Sequence, residues 1–272
     1  MSNTSDTFHT SLSRSHVKIL KTLRRKKGRQ QQNCILVEGV RLCEEALNAG
    51  VTVKEAIVLE SVRENERVKP LLQRCQTAGI PIYIVGPKSF QVISEEPSPQ
   101  GVALVIRKRS EASREKEQAP FILACEDIRD PGNLGTLLRS ADWFGVKHCL
   151  LSAGCVDMYN SKVIRASMGS VFRVGIEYEK DFVRALEKLQ SKGYRLIATV
   201  SREKQNLELN RLGKSDRDIL IIGNEATGLS AAVRRLADVR VSISGQEHVE
   251  SLNAAIAGSI CLYQLLHSGE NP

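Results

Sequence analysis

The stretch from Asp218 to Tyr263 constrains the fold of this 272-residue chain more than any other. It opens with the short apolar run Ile219–Ile222, bounded by Gly223, which is typical of a strand buried on both faces of a parallel sheet. A second β-branched segment, Val239–Ile243, ends at Ser244-Gly245. In open α/β sheets, ligands bind where the carboxyl ends of such strands meet. The stretch therefore predicts a ligand site at one edge of a parallel sheet.

The last apolar segment, Leu252–Leu266, predicts a helix. Its small residues would let it pack closely against other backbone, and they are Ala254, Ala255, Ala257, Gly258 and Ser259. Ser251 is the predicted N-cap. The first amides of this helix would then face the same cavity as the strand ends.

Three short motifs lie in order along the chain: Asn133-x-Gly135-x-x-x-Arg139-x-Ala141, Gly223-x-Glu225-x-x-Gly228-Leu229 and Ser251-Leu252-Asn253. In sequence, order and element type they resemble the signature motifs of the SpoU/TrmH family of RNA 2′-O-ribose methyltransferases. The resemblance spans about Phe121 to the C-terminus. It implies an α/β fold whose last third forms a deep trefoil knot, with S-adenosylmethionine as cofactor. It also implies a homodimer built through the catalytic domain, which the apolar character of the last helix fits.

The resemblance assigns a role to each matched residue. The implied catalytic residues are Asn133, Arg139, Glu225, Ser251 and Asn253. The implied cofactor-binding residues are Gly223, Ile243 and Leu252, with Thr199 at the edge of the pocket. Taken from the residues alone, plainer roles stay open: helix caps for Asn133, Ser251 and Asn253, a turn position for Glu225, core packing for Ile243 and Leu252, and a surface position for Arg139.

Two functions are open for Arg139, which the family places at the ribose 2′-hydroxyl. It acts there either as a general base or as an electrostatic clamp. A guanidinium has a pKa above ~12 and is almost always protonated. Clamping a phosphate and stabilising a developing alkoxide suit such a group better than proton abstraction.

The upstream half alternates strands and helices from Cys34 to Ile106. The strings CILVEGVRLCEEAL and PSPQGVALVI resemble a ribosomal-protein-L30e-like substrate-binding domain. The expected organisation is a basic arm at 1–30, an L30e-like RNA-binding domain at 31–107, a charged linker at 108–119 and a methyltransferase domain at 120–272. Alternating β and α elements predict a parallel sheet with helices on both faces in the last of these.

The net charge of +8 lies in one place. Between Arg14 and Arg29 there are eight basic residues and no acidic ones. Removing them from the 39 Lys and Arg leaves 31, which equals the number of Asp and Glu. A one-sided cluster on an otherwise neutral chain indicates phosphate contact, although a solvated helix face would carry the same charges.

Several classes of function lack their motifs. The sequence has no Gly-x-Gly-x-x-Gly after a strand, no phosphate-binding loop, no His-Glu-x-x-His and no Gly-x-Ser-x-Gly. No apolar run approaches the ~18 residues of a membrane span, and the first residues, MSNTSDTFHTSLSR, contain no apolar signal region. The seven cysteines include no Cys-x-x-Cys pair, which favours reduced thiols. We therefore expect a cytoplasmic protein without a metal or membrane partner.

The predicted function is methyl transfer from S-adenosylmethionine to a ribose 2′-hydroxyl, with ribosomal RNA as substrate. The extra domain and the basic arm suit a large folded RNA. One alternative is a transfer-RNA ribose methyltransferase. Another is an RNA-binding protein that keeps the fold without catalysis, against which the intact motif residues argue.

Overall fold

The computed structural model describes residues 12–109, 119–201, 207–213, 215–246 and 251–267, together with the backbone of Phe8–His9. The chain divides into two compact units. The first unit comprises Met1–Ser110 and Tyr159–Phe172, and the second comprises Glu111–Met158 and Arg173–Pro272. The expected linker at 108–119 lies outside the described residues except at its two ends, and so does most of 1–11. Tyr159–Phe172 groups with the first unit, although the sequence places it inside the expected domain 120–272.

The elements up to residue 107 all belong to the first unit. They are β1 (Phe8–His9), α1 (Arg14–Thr22), α2 (Lys26–Gln32), β2 (Cys34–Glu38), α3 (Val40–Asn48), β3 (Val53–Leu59), a 3₁₀ turn (Glu60–Val62), α4 (Lys69–Thr77), β4 (Ile82–Val85), α5 (Pro87–Ile93) and β5 (Val102–Arg107). Their sheet has the order β1-β4-β3-β5-β2, in which β5 runs antiparallel to both of its neighbours. The sequence pattern predicts a helix over Val62–Ala78, but α4 begins only at Lys69, because Pro70 suits a first helical turn.

The elements after residue 119 follow in chain order. They are β6 (Phe121–Cys125), α6 (Pro131–Trp143), β7 (His148–Ser152), α7 (Ser161–Ala166), a 3₁₀ turn (Ser170–Phe172), β8 (Gly175–Glu179), α8 (Phe182–Gln190), β9 (Arg195–Thr199), β10 (Leu207–Glu208), a 3₁₀ turn (Leu209–Arg211), β11 (Asp218–Ile222), α9 (Ala231–Leu236), β12 (Val239–Ser242) and α10 (Ala254–His267). Of these, α7 and the turn after it belong to the first unit.

The helical spacing of Val17, Leu20 and Leu23 predicts one basic helix that packs an apolar stripe on the domain and ends at Gly28. The stripe is confirmed, because Leu20 and Leu23 are buried with Phe90 of α5. The single helix is wrong: the segment folds as two helices, and Gly28 lies inside α2. A Cβ there would lie 2.0 Å from the carbonyl oxygen of Thr22. Glycine therefore lets α2 pack against the end of α1, a tertiary contact that the local sequence does not reveal.

The second unit is built on a seven-stranded sheet with the order β10-β12-β9-β11-β6-β7-β8. Every neighbouring pair in it is parallel, which confirms the predicted parallel sheet. β6 and β11 are buried along their whole length, as expected for central strands covered on both faces. All strands therefore end at one edge, where their loops can form a site.

Helices cover both faces of this sheet. On one face α8 and α9 pack through Leu186 and Val233 onto buried strand residues. On the other, α10 packs against α6, and a Cβ on Gly258 would lie 2.4 Å from a methyl carbon of Leu137. The small residues predicted for the last helix thus allow the close packing expected of them. No helix in the described ranges is long and apolar enough to cross a lipid bilayer.

Candidate active site

The loop that follows β11 folds back on itself at the carboxyl edge of the sheet. The Gly228 amide donates to the Asn224 carbonyl oxygen at 2.9 Å, and Gly228 has a φ of +64°. A Cβ on Gly223 would lie 2.5 Å from the Gly228 carbonyl carbon and 2.6 Å from the Leu229 nitrogen. Glycine at 223 is therefore required by backbone on the other side of the loop.

The Asn224 side chain holds this loop in place. Its amide nitrogen donates to the Asp127 carbonyl oxygen at 2.9 Å. Its amide oxygen accepts from the backbone amides of Ala226 and Thr227 at 2.9 and 3.1 Å. The loops after β6 and β11 are thereby joined, since an Asn side chain can take the place of backbone partners in a turn.

Asn133 connects the three sequence motifs. Its side-chain nitrogen donates to Oε1 of Glu225 at 2.5 Å, and its side-chain oxygen accepts from Nδ2 of Asn253 at 2.9 Å. The partners lie 92 and 120 residues away along the chain. A single amide can bridge them because it has both a donor and an acceptor end. Three predicted catalytic residues are thus brought together.

A helix-capping role was open for three of these residues: Asn133, Ser251 and Asn253. Only Asn253 caps a helix. Asp130 caps α6, because its carboxylate accepts from the backbone N–H of Asn133 at 2.9 Å. Asn253 caps α10, since its side-chain oxygen accepts from the amides of Ala255 and Ile256 at 2.9 and 3.3 Å. The prediction of Ser251 as the cap is therefore wrong, because α10 begins two residues later than the apolar pattern indicated.

A cavity of ≈ 630 Å³ opens beside this network. The loops after β9, β11 and β12 and the start of α10 form its walls. All four predicted cofactor-binding residues line it, and so do two of the predicted catalytic residues: Thr199, Gly223, Ile243, Leu252, Glu225 and Ser251. The volume lies within the range of about 300–1,000 Å³ that small-molecule sites occupy. The predicted cofactor residues therefore share one cavity.

The cavity walls combine apolar side chains with polar loop backbone. Ile243 is half-buried and Leu252 is 45% exposed, so neither serves as core packing. The Thr199 hydroxyl donates to the Ile221 carbonyl oxygen at 2.9 Å, across two neighbouring strands. Cys261 also lines the cavity, and burial raises the pKa of its thiol to about 12. This thiol is protonated at neutral pH and acts as an apolar wall.

Arg139 stands apart from the cavity. It follows Asn133 by six residues on α6, which places it about 9 Å further along the helix axis. Its side chain is exposed, away from the buried leucines, as the helical pattern predicts. Among the described residues no hydrogen bond or ion pair engages its guanidinium. Its charge is therefore available to a substrate or to another chain.

Two structural features of the site were not predicted. Oε2 of Glu126 accepts from the Ser230 amide at 2.7 Å and ties the loop after β6 to the start of α9. The signal for Glu126 was an acidic residue directly after a buried strand. α9 itself was also missed, although Ser230 precedes it as an N-cap and Val233 forms its buried contact. No group of three or more potential metal ligands occurs within the ranges that the structure describes.

Comparison with known protein families gives two matches along the chain. Residues 120–263 match the model of the SpoU rRNA Methylase family. Residues 14–104 match the model of the MRM3-like substrate binding domain. The second match begins at α1, so both basic helices fall inside it.

Individual relatives match along most of their length. A Bacillus subtilis protein named 23S rRNA (guanosine(2553)-2′-O)-methyltransferase RlmP is 30% identical over 92% of this chain and 95% of its own. An uncharacterised tRNA/rRNA methyltransferase of Synechocystis is 34% identical over 94% of this chain and 92% of its own. The crystal structure of an AdoMet-bound rRNA methyltransferase from Sinorhizobium meliloti superposes with a TM-score of 0.80, at 27% identity, covering 97% of this chain and 98% of that one.

Proposed function

Because the chain belongs to the SpoU rRNA methylase family, we propose that it transfers a methyl group from S-adenosylmethionine to a ribose 2′-hydroxyl of ribosomal RNA. One observation carries this proposal most directly. The side-chain amide of Asn133 is hydrogen-bonded to both Glu225 and Asn253 at the rim of the cavity. Residues from all three motifs thus act as one hydrogen-bonded unit beside a space that suits a small molecule.

The cavity has the features that an adenosyl group requires. Ile243 and Leu252 offer apolar surface for a flat ring, and the loop at Gly223 brings backbone donors and acceptors close. A bound S-adenosylmethionine would supply an electrophilic methyl group on a cationic sulfonium that leaves as a neutral thioether. The task of the protein is then alignment, because in-line attack gains most from fixed geometry.

The acceptor ribose is proposed to lie between Arg139 and the Asn133 network. Arg139 would hold an RNA phosphate and stabilise the developing alkoxide, since its planar fork pairs well with both. Asn133 would keep Glu225 and Asn253 in position. Ser251, exposed at the cavity wall, would contact the acceptor nucleotide.

The first unit is proposed to bind the RNA substrate. Its match to a substrate binding domain supports this role, and so does the basic segment Arg14–Arg29. Arg29 is an exception within that segment, because its side chain is buried and donates to the Leu23 carbonyl oxygen at 3.0 Å. The mixed sheet with helices on it suits the L30e-like fold that the resemblance implies.

A homodimer through α6 and α10 is part of the proposal. Ile256, Ile260 and Tyr263 are 53, 39 and 59% exposed and lie at helical spacing on one face of α10. Trp143 on α6 is 83% exposed, one turn from Arg139. Large apolar side chains in such a row mark surfaces that a partner covers. A second copy placed there would also lie beside Arg139.

The knotted topology and the cellular location are also part of the proposal. The knot implied by the resemblance is supported by the strand order: β11 lies between β9 and β6, β12 returns to the far side of β9, and α10 packs back on α6. A cytoplasmic location is supported by the seven cysteines, which are all buried and unpaired. A reducing compartment keeps thiols in this state.

The function can be tested in two steps. Calorimetry with S-adenosylhomocysteine measures cofactor binding directly. Radiolabelled S-adenosylmethionine is then incubated with the protein and with ribosomal or transfer RNA from a deletion strain, and ribose methylation is mapped. Label at a ribose of ribosomal RNA supports the proposal, whereas label in transfer RNA alone favours the alternative substrate. Cofactor binding without transfer to either RNA, or no binding, contradicts it.

A further inference from the structure

Three arginines converge on a groove in the second unit that no predicted site residue lines. The groove has a volume of ≈ 230 Å³, and we call it the arginine groove. Its lining consists of Val200, Ala231, Arg234, Arg235 and Arg240. Three of these five residues are cationic, so one sign of charge dominates the groove.

The fold explains why these side chains meet. Ala231, Arg234 and Arg235 are three and four residues apart on α9, so they share one face of the helix. Arg240 on β12 pairs in register with Ala198 on β9, and Ala198 belongs to the core beneath α8 and α9. Side chains of paired residues point to the same face of a sheet. Arg240 therefore points to the face on which α9 lies.

The positive charge of the groove is not neutralised within the described part of the chain. Arg234, Arg235 and Arg240 are exposed and form no ion pair with a described residue. The neighbouring acid, Asp238, is engaged elsewhere: its oxygens accept from Gln190 Nε2 at 2.8 Å and from the Leu196 amide at 2.7 Å. A groove of like charges concentrates a field that attracts anions.

The arginine groove also adjoins the proposed cofactor cavity. Val200 and Arg234 line both spaces. An extended anion in the groove would therefore reach the rim of the cavity. A guanidinium fork binds the two free oxygens of a phosphodiester in parallel, which suits a nucleic-acid backbone better than a single point charge does.

We infer that the arginine groove binds the phosphodiester backbone of the substrate RNA next to the cofactor cavity. This inference rests on the proposed function and adds an RNA contact in the second unit. Contacts to phosphate fix the register of an RNA without reading its bases. The groove thus positions the strand, while sequence or shape is recognised elsewhere.

The test uses the double variant Arg235→Glu/Arg240→Glu of the full chain. These two arginines line the groove but not the cofactor cavity. The control is Lys147→Glu/Lys180→Glu, which changes the charge equally. Both control lysines are exposed, and they flank β7 and β8 at the other lateral end of the same sheet. Fluorescence anisotropy with labelled poly(U) is measured over a series of KCl concentrations, and calorimetry with S-adenosylhomocysteine is measured in parallel.

We expect the groove variant to bind poly(U) about tenfold more weakly. The log–log salt slope should fall by about 1.4, since two phosphate contacts are lost and each contributes about 0.7 on a single strand. The control should bind like the wild type, and S-adenosylhomocysteine affinity should stay constant in both. An equal loss in the control refutes the assignment, as does an unchanged salt slope. The assignment is also refuted if the groove variant loses binding of labelled polyglutamate to the same extent as binding of poly(U), because the groove would then accept any polyanion. Wild type that fails to bind S-adenosylhomocysteine refutes the proposed function instead.

Discussion

Substitution of Gly223 by alanine tests whether the close-packed loop shapes the proposed cofactor cavity. The added Cβ would lie 2.5, 2.6 and 2.7 Å from backbone atoms of Gly228 and Leu229, where ordinary contact begins at 3.4 Å. The loop must therefore open by about 0.9 Å. It cannot swing away freely, because the Asn224 side chain ties it to Asp127 and to its own amides. Overpacking of this kind costs about 1–3 kcal/mol.

The matched control is Gly245→Ala in the wall of the same cavity. No described atom lies within 4 Å of a Cβ built on Gly245, so this change should alter stability by less than about 0.5 kcal/mol. A cost of about 2 kcal/mol for Gly223→Ala predicts a melting temperature lower by roughly 4–8 °C. The displaced loop should also weaken binding of S-adenosylhomocysteine about tenfold or more, which is at least about 1.4 kcal/mol.

Differential scanning calorimetry and binding calorimetry measure the two effects on the same samples. If Gly223→Ala melts and binds like Gly245→Ala, the loop relaxes without cost and the reasoning from the short Cβ distances is refuted. If it melts lower but binds normally, the loop shapes the fold but not the cavity.

Four other predictions follow from the site and the surface. Arg139→Ala should keep its melting temperature and cofactor affinity but lose about a thousandfold in single-turnover methylation, about 4 kcal/mol of barrier; Arg139→Lys should keep partial activity, because it retains the charge without the fork. Light scattering should give twice the 30.1 kDa chain mass, and Tyr263→Glu should reduce it to one chain. In the first unit, four basic residues can be neutralised together: Lys21, Arg24, Arg25 and Lys27. This change should weaken binding of all RNAs alike and flatten the log–log salt slope. Burial raises the pKa of Glu38 above its ordinary 4.5, against the lowering effect of hydrogen bonds from the Glu95 amide and the Ser94 hydroxyl. The protonated form of Glu38 is therefore favoured in the folded state. Its contribution to the free energy of unfolding is lost as pH rises from about 4.5 through the folded pKa. Glu38→Gln should remove this pH dependence, which urea unfolding at several pH values measures.

Each of these has a result that contradicts it. Wild-type methylation by Arg139→Ala removes this arginine from the mechanism, and a rate of Arg139→Lys that rises with pH toward about 10 favours a general base over a clamp. A stable, active monomer rules out the dimer. Unchanged RNA affinity makes the basic segment a solvated surface. Parallel pH curves for Glu38→Gln and wild type show that Glu38 titrates normally in the fold.

Much of the second unit could be predicted from local sequence. The run Ile219–Ile222 is apolar without alternation, which only a strand covered on both faces tolerates, and β11 is buried along its length. The small residues around Gly258 predicted close helix packing, and α10 packs on α6 there. The four residues predicted to bind the cofactor line one cavity, but they came from motifs that resemble a family and not from periodicity, and their role in binding stays a prediction.

The tertiary structure alone decided which side chains meet. Nothing near Asn133 in the sequence indicates that its amide joins Glu225 and Asn253, because those contacts depend on β11 lying beside β6 and on α10 returning to α6. The same order of strands sets Arg240 beneath α9. Periodicity reports the face that a residue occupies within its own element, since it reflects local burial. It carries no information on which elements are neighbours, because that choice is made by the summed packing of the whole sheet.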